Sequence, residues 1–157
     1  MGRPCALMDV AFETARTVTD MIYQGMFRRF TDLTMILAHC GGALPAMSGR
    51  LLLPGNEDWI PNPNRVSTEE MSQNLQRFFL GTAGVCPTAL APALVMTSPE
   101  RLVYGSDCGV PCSTHRTMDS NLKALLDFPA LTPEQVQQIG RRALELFPAA
   151  KVRLNHR

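Results

Sequence analysis

The chain has 157 residues, of which 45% are apolar and 18% charged, the composition of a globular domain with a substantial core. Its net charge of +1 offers no electrostatic basis for binding nucleic acid or an anionic membrane, and no apolar run approaches the roughly 18 residues that span a bilayer. Five cysteines, an odd number at irregular spacing, argue against a disulfide framework. We therefore expect a soluble, cytoplasmic protein with no nucleic-acid or membrane partner.

The first part of the chain predicts a helix, a buried strand and a second helix. Apolar residues at helical spacing indicate a helix over 9–30, and a short continuous apolar run indicates a strand over 33–38. The pair Gly41-Gly42 permits a tight turn directly after this strand. A second helix is expected over 44–53.

The rest of the chain predicts two more strands, each followed by helical segments. Pro and Asn residues predict a loop over 54–66, and Ser67 and Glu70 have the spacing of a capping box that starts a helix. The remaining predicted elements are strands over 77–82 and 101–104 and helices over 87–96, 115–127 and 132–147. Thr132 is the predicted cap of the last helix, with Pro133 at its first position, and an interruption is expected near Gly140.

Strands that alternate with helices indicate an α/β fold with a parallel sheet. Ligands of such folds bind at the carboxyl ends of the strands. His39 follows the first predicted strand and Asp107 follows the third, so both side chains are expected at this edge of the sheet.

Three phrases carry a resemblance to a known family. The first contains His39, Gly41-Gly42 and Pro45, followed by Gly49-Arg50; the second is Gly105-Ser106-Asp107; the third is the segment 140–147. Together they resemble the amidohydrolase-related family of metal-dependent hydrolases, in particular the decarboxylase branch that includes the aminocarboxymuconate-semialdehyde and 6-methylsalicylate decarboxylases. The resemblance extends from about residue 8 to residue 148.

The resemblance implies a (β/α)₈ TIM barrel, of which residues 1–150 would form roughly the last three strand-helix units, with 151–157 as a tail. Such barrels usually need about 250 residues. The family's His-x-His motif and a further metal-binding histidine are absent from this sequence, which has three histidines in all. The family's usual Asn in the third phrase is replaced by Arg142.

The resemblance also implies roles for three residues. Asp107 corresponds to a metal-binding and catalytic aspartate, although an Asp after Gly-Ser also commonly caps a turn. His39 corresponds to a catalytic histidine beside the metal, and its alternative is a strand-end side chain bonded to a backbone carbonyl. Arg50 corresponds to an arginine that reaches the substrate carboxylate across a homodimer interface, and its alternative is a solvated helix residue.

By this resemblance the expected function is a metal-dependent decarboxylase of a small aromatic or muconate-type carboxylic acid, with a divalent metal that is zinc or manganese. Two alternatives remain: a hydrolase of a lactone or amide on the same fold, and a non-catalytic truncated remnant. The second alternative follows from the missing His-x-His, because a catalytic zinc normally has three protein ligands. Cys108 and Cys112 form a C-x₃-C pair that the resemblance places near Cys40, but a zinc site needs about four ligands with defined spacing, so these cysteines are interpreted as ordinary small, buried side chains.

Overall fold

The computed structural model describes residues 2, 4–84, 87–111 and 113–155, which form a helix-dominated α/β fold. Its strands are β1 (Ile36–Leu37), β2 (Phe79–Gly81) and β3 (Leu102–Val103). Its helices are α1 (Cys5–Tyr23), α2 (Met26–Arg29), α3 (Leu44–Leu52), α4 (Thr68–Arg77), α5 (Pro87–Met96), α6 (His115–Leu126), α7 (Pro133–Leu146) and α8 (Pro148–Asn155). No helix among the described residues has both the length and the apolar character to cross a membrane.

The three strands form one parallel sheet in the order β1-β2-β3, as the alternating pattern predicts. Leu37 pairs with Leu80, and Leu80 pairs with Leu102, so the middle strand β2 pairs with both of its neighbours. Because the strands are parallel, the segments that follow them emerge at one edge. That edge carries both His39 and Asp107.

The core lies between the sheet and the surrounding helices. Leu44, Leu80, Leu90 and Leu102 are completely buried. They come from α3, β2, α5 and β3, so each strand-helix unit contributes an apolar side chain to the same cluster. Burying one such side chain stabilises the fold by roughly 1.5–3 kcal/mol.

The predicted helix over 9–30 is wrong in its extent, because the structure has two helices there. Helix α1 begins at Cys5 and ends at Tyr23, and α2 is a separate short helix. Gly25 lies between them with a left-handed φ of 64°, and its N–H donates to the carbonyl of Ile22. A glycine in this conformation commonly ends a helix, which accounts for the break.

Two helix starts agree with their predicted caps. The Ser67 hydroxyl accepts from the N–H of Glu70, but the Glu70 carboxylate binds Arg28 instead of completing a capping box. Thr132 and Gln135 form a complete capping box at the start of α7. These caps determine where α4 and α7 begin.

The other differences concern the strands and the C-terminal part. Each strand is shorter than predicted, and a short 3₁₀ turn over Pro99–Arg101 precedes β3. The predicted interruption near Gly140 is wrong, since α7 runs through it without a break. Residues 151–155, in the segment expected as a tail, belong to α8. His156 and Arg157 lie outside the described residues.

Candidate active site

The turn after β1 and the loop after β3 have unusual backbone conformations. His39 and Cys40 both have a φ of 52°, and Asp107 has a φ of 63°. This left-handed region is uncommon for residues other than glycine and costs of order 1–3 kcal/mol each. Such conformations cluster at functional sites, where the surrounding structure maintains them. Both predicted catalytic side chains are therefore presented by strained backbone.

His39 is held by the loop after β2. Its Nδ1 lies 2.8 Å from the carbonyl oxygen of Ala83, and the side chain is half-buried. A carbonyl accepts hydrogen bonds and cannot donate them, so Nδ1 carries the proton in this contact. The other ring nitrogen, Nε2, is then available as a base or a metal ligand in the neutral imidazole.

Gly84 marks the point at which His39 and Asp107 come together. A Cβ added at Gly84 would lie 3.2 Å from the Nδ1 of His39 and 3.6 Å from the Oδ2 of Asp107. The two side chains thus flank the same point near the carboxyl end of β2, although they are 68 positions apart in the chain. A side chain at this position would fill the space between them, and the φ of 60° also favours glycine.

A buried polar clamp fixes the start of the Asp107 loop. The N–H of Gly105 donates to the Oγ1 of Thr82 at 3.3 Å, and the Nδ2 of Asn121 donates to the carbonyl of Gly105 at 2.8 Å. Thr82 and Asn121 are 1% and 2% exposed. The N–H and the carbonyl of Gly105 are therefore both held by side chains, one from Thr82 directly after β2 and one from Asn121 on α6. Buried, satisfied contacts of this kind specify one local conformation.

His39 and Asp107 form the floor of a cleft of about 850 Å³. One wall is the first part of α1 and the other is the first two turns of α6. Arg116 lines the α6 wall and is the only arginine or lysine among the described residues that line the cleft. The volume lies within the range of small-molecule binding sites.

The described residues do not by themselves provide a complete metal site. No group of three His, Cys, Asp or Glu side chains comes together in the part of the chain that the structure describes. A catalytic zinc usually has three protein ligands. Asp107 offers one carboxylate ligand at the cleft floor, and His39 offers one nitrogen beside it.

The cysteines do not form a site among the described residues. Cys40 is 1% exposed, and burial raises the pKa of its thiol to about 12. It stays protonated at neutral pH and is therefore neither a nucleophile nor a ready metal ligand. Cys108 is exposed, and Cys112 lies outside the described residues.

Arg50 is not brought together with the other two predicted site residues. It is exposed near the end of α3 and does not line the cleft that contains His39 and Asp107. Its neighbour Gly49 lines a different groove, of about 440 Å³, between α3, α4 and α5. Within one chain, Arg50 is therefore a solvated helix residue.

Sequence reasoning missed three residues that the structure places at the site. Thr82, Asn121 and Arg116 are polar residues on a strand end or a helix, and none stands in a recognisable motif. The sequence gives one indication of their roles, which is their position in the chain. Thr82 ends a predicted strand, and Asn121 and Arg116 lie on the predicted helix that follows the Asp107 loop. Only the folded arrangement distinguishes them from other polar residues on these elements.

Comparison with known proteins shows which family and which relatives the chain matches. The amidohydrolase family model matches residues 1–149. The 6-methylsalicylic acid decarboxylase of Penicillium expansum is 29% identical over 153 residues, covering 94% of this chain and 45% of that enzyme. The chain thus spans less than half the length of this relative.

Solved structures show the same fold. A crystal structure of an amidohydrolase II superposes with a TM-score of 0.72 at 24% identity, covering 91% of this chain and 44% of that one. A dihydroxybenzoic acid decarboxylase from Polaromonas sp. JS666, solved with manganese and 2-nitroresorcinol, gives a TM-score of 0.69 at 20% identity. It covers 88% of this chain and 40% of that structure.

Proposed function

Because the chain belongs to the amidohydrolase family, we propose that it provides part of the active site of a metal-dependent decarboxylase. The substrate is a small aromatic or muconate-type carboxylic acid, of the kind named for the Penicillium relative. In this proposal β1 to β3 are the last three strands of a (β/α)₈ barrel, residues 1–150 belong to that barrel, and the protein works in the cytoplasm.

One observation carries the proposal: His39 and Asp107 flank Gly84 at the carboxyl ends of the strands and open onto the same cleft. The matched family adds support at the level of the whole sequence, since its model covers residues 1–149 and not only the segments around His39 and Asp107. Fold alone would not support an activity, because one fold serves many reactions.

The reaction needs a proton delivered to carbon. In decarboxylation the bond between the ring carbon and the carboxylate breaks, its electron pair stays on the ring carbon, and CO₂ leaves. A proton then adds to that carbon. The hydrogen bond from the Nδ1 of His39 to Ala83 directs Nε2 away from that contact. His39 is proposed to deliver this proton from Nε2 as the imidazolium, protonated at both ring nitrogens, which leaves the neutral imidazole with its proton on Nδ1; Nε2 then regains a proton from water.

Asp107 is proposed to supply one carboxylate ligand of the divalent metal. Zinc is the metal proposed, with manganese as the alternative that the bound ion of the Polaromonas structure favours. The further ligands come from outside the described residues. The donors present among the described residues amount to a partial set of ligands.

Arg50 retains its proposed role only across a homodimer interface. Since it lies outside the cleft of its own chain, it can reach a substrate carboxylate only in the cleft of a partner subunit. A guanidinium suits a carboxylate because it donates two parallel hydrogen bonds. If this role is correct, Arg50→Gln raises the KM of a dimer, and a monomeric protein contradicts it.

The test is release of labelled CO₂ by the protein expressed from the complete reading frame that contains this chain. Carboxyl-¹³C-labelled 6-methylsalicylate is supplied with zinc or manganese, and the products are followed by NMR. We expect labelled CO₂ and 3-methylphenol in equal amounts. Opening of lactones or amides without CO₂ release from any aromatic acid would instead identify a hydrolase. The absence of both activities would favour a non-catalytic remnant.

A further inference from the structure

The two walls of the cleft differ in their chemistry. The α1 wall is apolar and consists of Ala6, Leu7, Val10 and Ala11. Leu7 is 66% exposed and Val10 is 43% exposed, so these side chains present open apolar surface to the cleft. An aromatic ring placed against this wall would remove that surface from water, which is favourable in proportion to the area covered.

The opposite wall, formed by α6, is polar and carries a cation. The hydroxyls of Thr114 and Thr117 bind each other and the backbone at the start of α6, so they are already engaged. Arg116, between them, is exposed and forms no ion pair or side-chain hydrogen bond within the described part of the chain. Its guanidinium therefore has all its donors available for a ligand.

Charge determines the orientation of an acidic ligand in this cleft. In the chain without a bound cation, which is the form used in the binding test below, the Asp107 carboxylate at the floor repels a second carboxylate placed directly beside it. Arg116 is the residue on the α6 wall that attracts one, and it does not form an ion pair with Asp107 in this structure. A ligand with an apolar ring and a carboxylate thus fits in one direction across the cleft.

We propose that Arg116 determines specificity for carboxylates by binding the substrate carboxylate, while the α1 wall formed by Leu7 and Val10 receives the aromatic ring. The identity of the ligand as an aromatic acid rests on the proposed function. The role of Arg116 does not need a partner subunit, which distinguishes it from the role proposed for Arg50.

Binding of two matched probes to the 157-residue chain tests this proposal. The probes are 6-methylsalicylate and 3-methylphenol, which differ by the carboxylate, and their dissociation constants are measured by NMR titration. Arg116→Gln is compared with Arg116→Lys, Arg50→Gln and the control Arg141→Gln, an exposed arginine on α7. Amide spectra confirm that each variant is folded.

We expect Arg116→Gln to weaken binding of the acid about tenfold, because a charge-assisted hydrogen bond contributes on that scale. Binding of 3-methylphenol should not change, Arg116→Lys should restore part of the affinity, and Arg141→Gln should behave as the wild type. The proposal is overturned if the wild type does not bind the acid, if Arg116→Gln weakens both probes equally, or if Arg50→Gln alone weakens the acid.

Binding and turnover separate the two proposals. Binding of the acid that depends on Arg116, without CO₂ release by the protein from the complete reading frame, supports this inference and contradicts the proposed decarboxylase. Release of CO₂ with unchanged acid binding in Arg116→Gln supports the decarboxylase and overturns the inference.

Discussion

His39 and Asp107 are held in left-handed backbone conformations by hydrogen bonds to neighbouring strand ends. The His39 side chain is bonded to Ala83, after β2, and the loop of Asp107 starts at Gly105, which Thr82 and Asn121 hold on both sides. The middle strand's end therefore connects the two predicted catalytic residues. A strained backbone conformation at a site persists when several surrounding contacts together maintain it.

Asn121→Ala tests the clamp on Gly105. Removing the amide leaves the partly buried carbonyl of Gly105 without this donor, so the free energy of unfolding should fall by about 1–3 kcal/mol. Urea unfolding measures this loss, and hydrogen exchange at the Gly105 amide should become faster. Lys123→Ala, at an exposed position of the same helix, is the control and should change stability by less than about 0.5 kcal/mol. Equal stability of the two variants would contradict the clamp.

Cys40 predicts a specific loss of stability in alkali. Burial raises the pKa of its thiol from the usual value of 9.0 to about 12, so the folded state keeps a proton that the unfolded chain loses. This contribution is fully present below about pH 9 and is lost between about pH 9 and 12, at up to about 1.4 kcal/mol per pH unit. Cys40→Ala should flatten the dependence of unfolding free energy on pH in that window. Cys108→Ala, at an exposed cysteine, should leave it unchanged.

The candidate site was predictable from sequence where a side chain is tied to a motif at a strand end. His39 and Asp107 are close in space because parallel strands end at one edge, which the alternation of strands and helices indicates. Arg116 and Asn121 were not predictable, because their roles depend on which face of α6 points inward. Arg50 was expected from resemblance, and its exposed place on α3 lies outside the cleft.

Among the elements, α1 is positioned by close backbone contact with the turn after β1. The N–H of Ala43 donates to the carbonyl of Ala11 at 3.1 Å, and a Cβ added at Gly42 would lie 2.8 Å from the Cα of Ala11. Gly42 has a φ of 60°. The glycine therefore permits the approach of α1, which in turn forms the apolar wall of the cleft.

Two glycine substitutions should have opposite effects. Gly42→Ala should destabilise the protein by about 1–3 kcal/mol, because the methyl group meets the Ala11 backbone and the left-handed conformation is strained. Gly140→Ala should stabilise it by roughly 0.5–1 kcal/mol, since this glycine lies inside α7 with no atom within 4 Å of the added carbon. Thermal unfolding of both variants measures the difference. Destabilisation by Gly140→Ala would show that α7 bends there.

Helices were predictable where a cap and an apolar face coincide, as at Ser67 and Thr132. Their ends were less predictable: the break at Gly25 depends on a left-handed glycine that sequence periodicity does not reveal. The lengths of the strands were overestimated because each apolar run continues beyond the few residues that pair with a neighbouring strand. Gly140 was expected to interrupt a helix, although nothing in its surroundings requires glycine.

At the scale of the whole molecule, the three-stranded sheet leaves β1 and β3 as edges among the described strands. Edge strands carry unpaired backbone groups that can pair with further strands. The Penicillium relative is more than twice as long as its matched part, and the amidohydrolase II structure shares the fold of this chain over less than half of its own length. Further strands beside β1 or β3 would also bring further side chains to the cleft.

The 157-residue chain by itself should retain metal weakly. Asp107 and His39 lie at the cleft floor without a third donor among the described residues, whereas catalytic zinc normally has three protein ligands. Elemental analysis of the purified monomer should therefore find well under one zinc or manganese ion per chain. Stoichiometric, tightly held zinc in the monomer would contradict this partial donor set.

The rate of ¹³CO₂ release by wild type, His39→Gln and Asp107→Asn, in the protein from the complete reading frame, tests the central claim most directly. Lys123→Ala is the control because it lies on the exposed surface of α6. If His39 delivers the proton and Asp107 holds the metal, each of the two substitutions lowers kcat by at least about 100-fold while the control is unaffected. Rates within about threefold of the wild type for either variant would contradict the assignment of this cleft as the decarboxylase site.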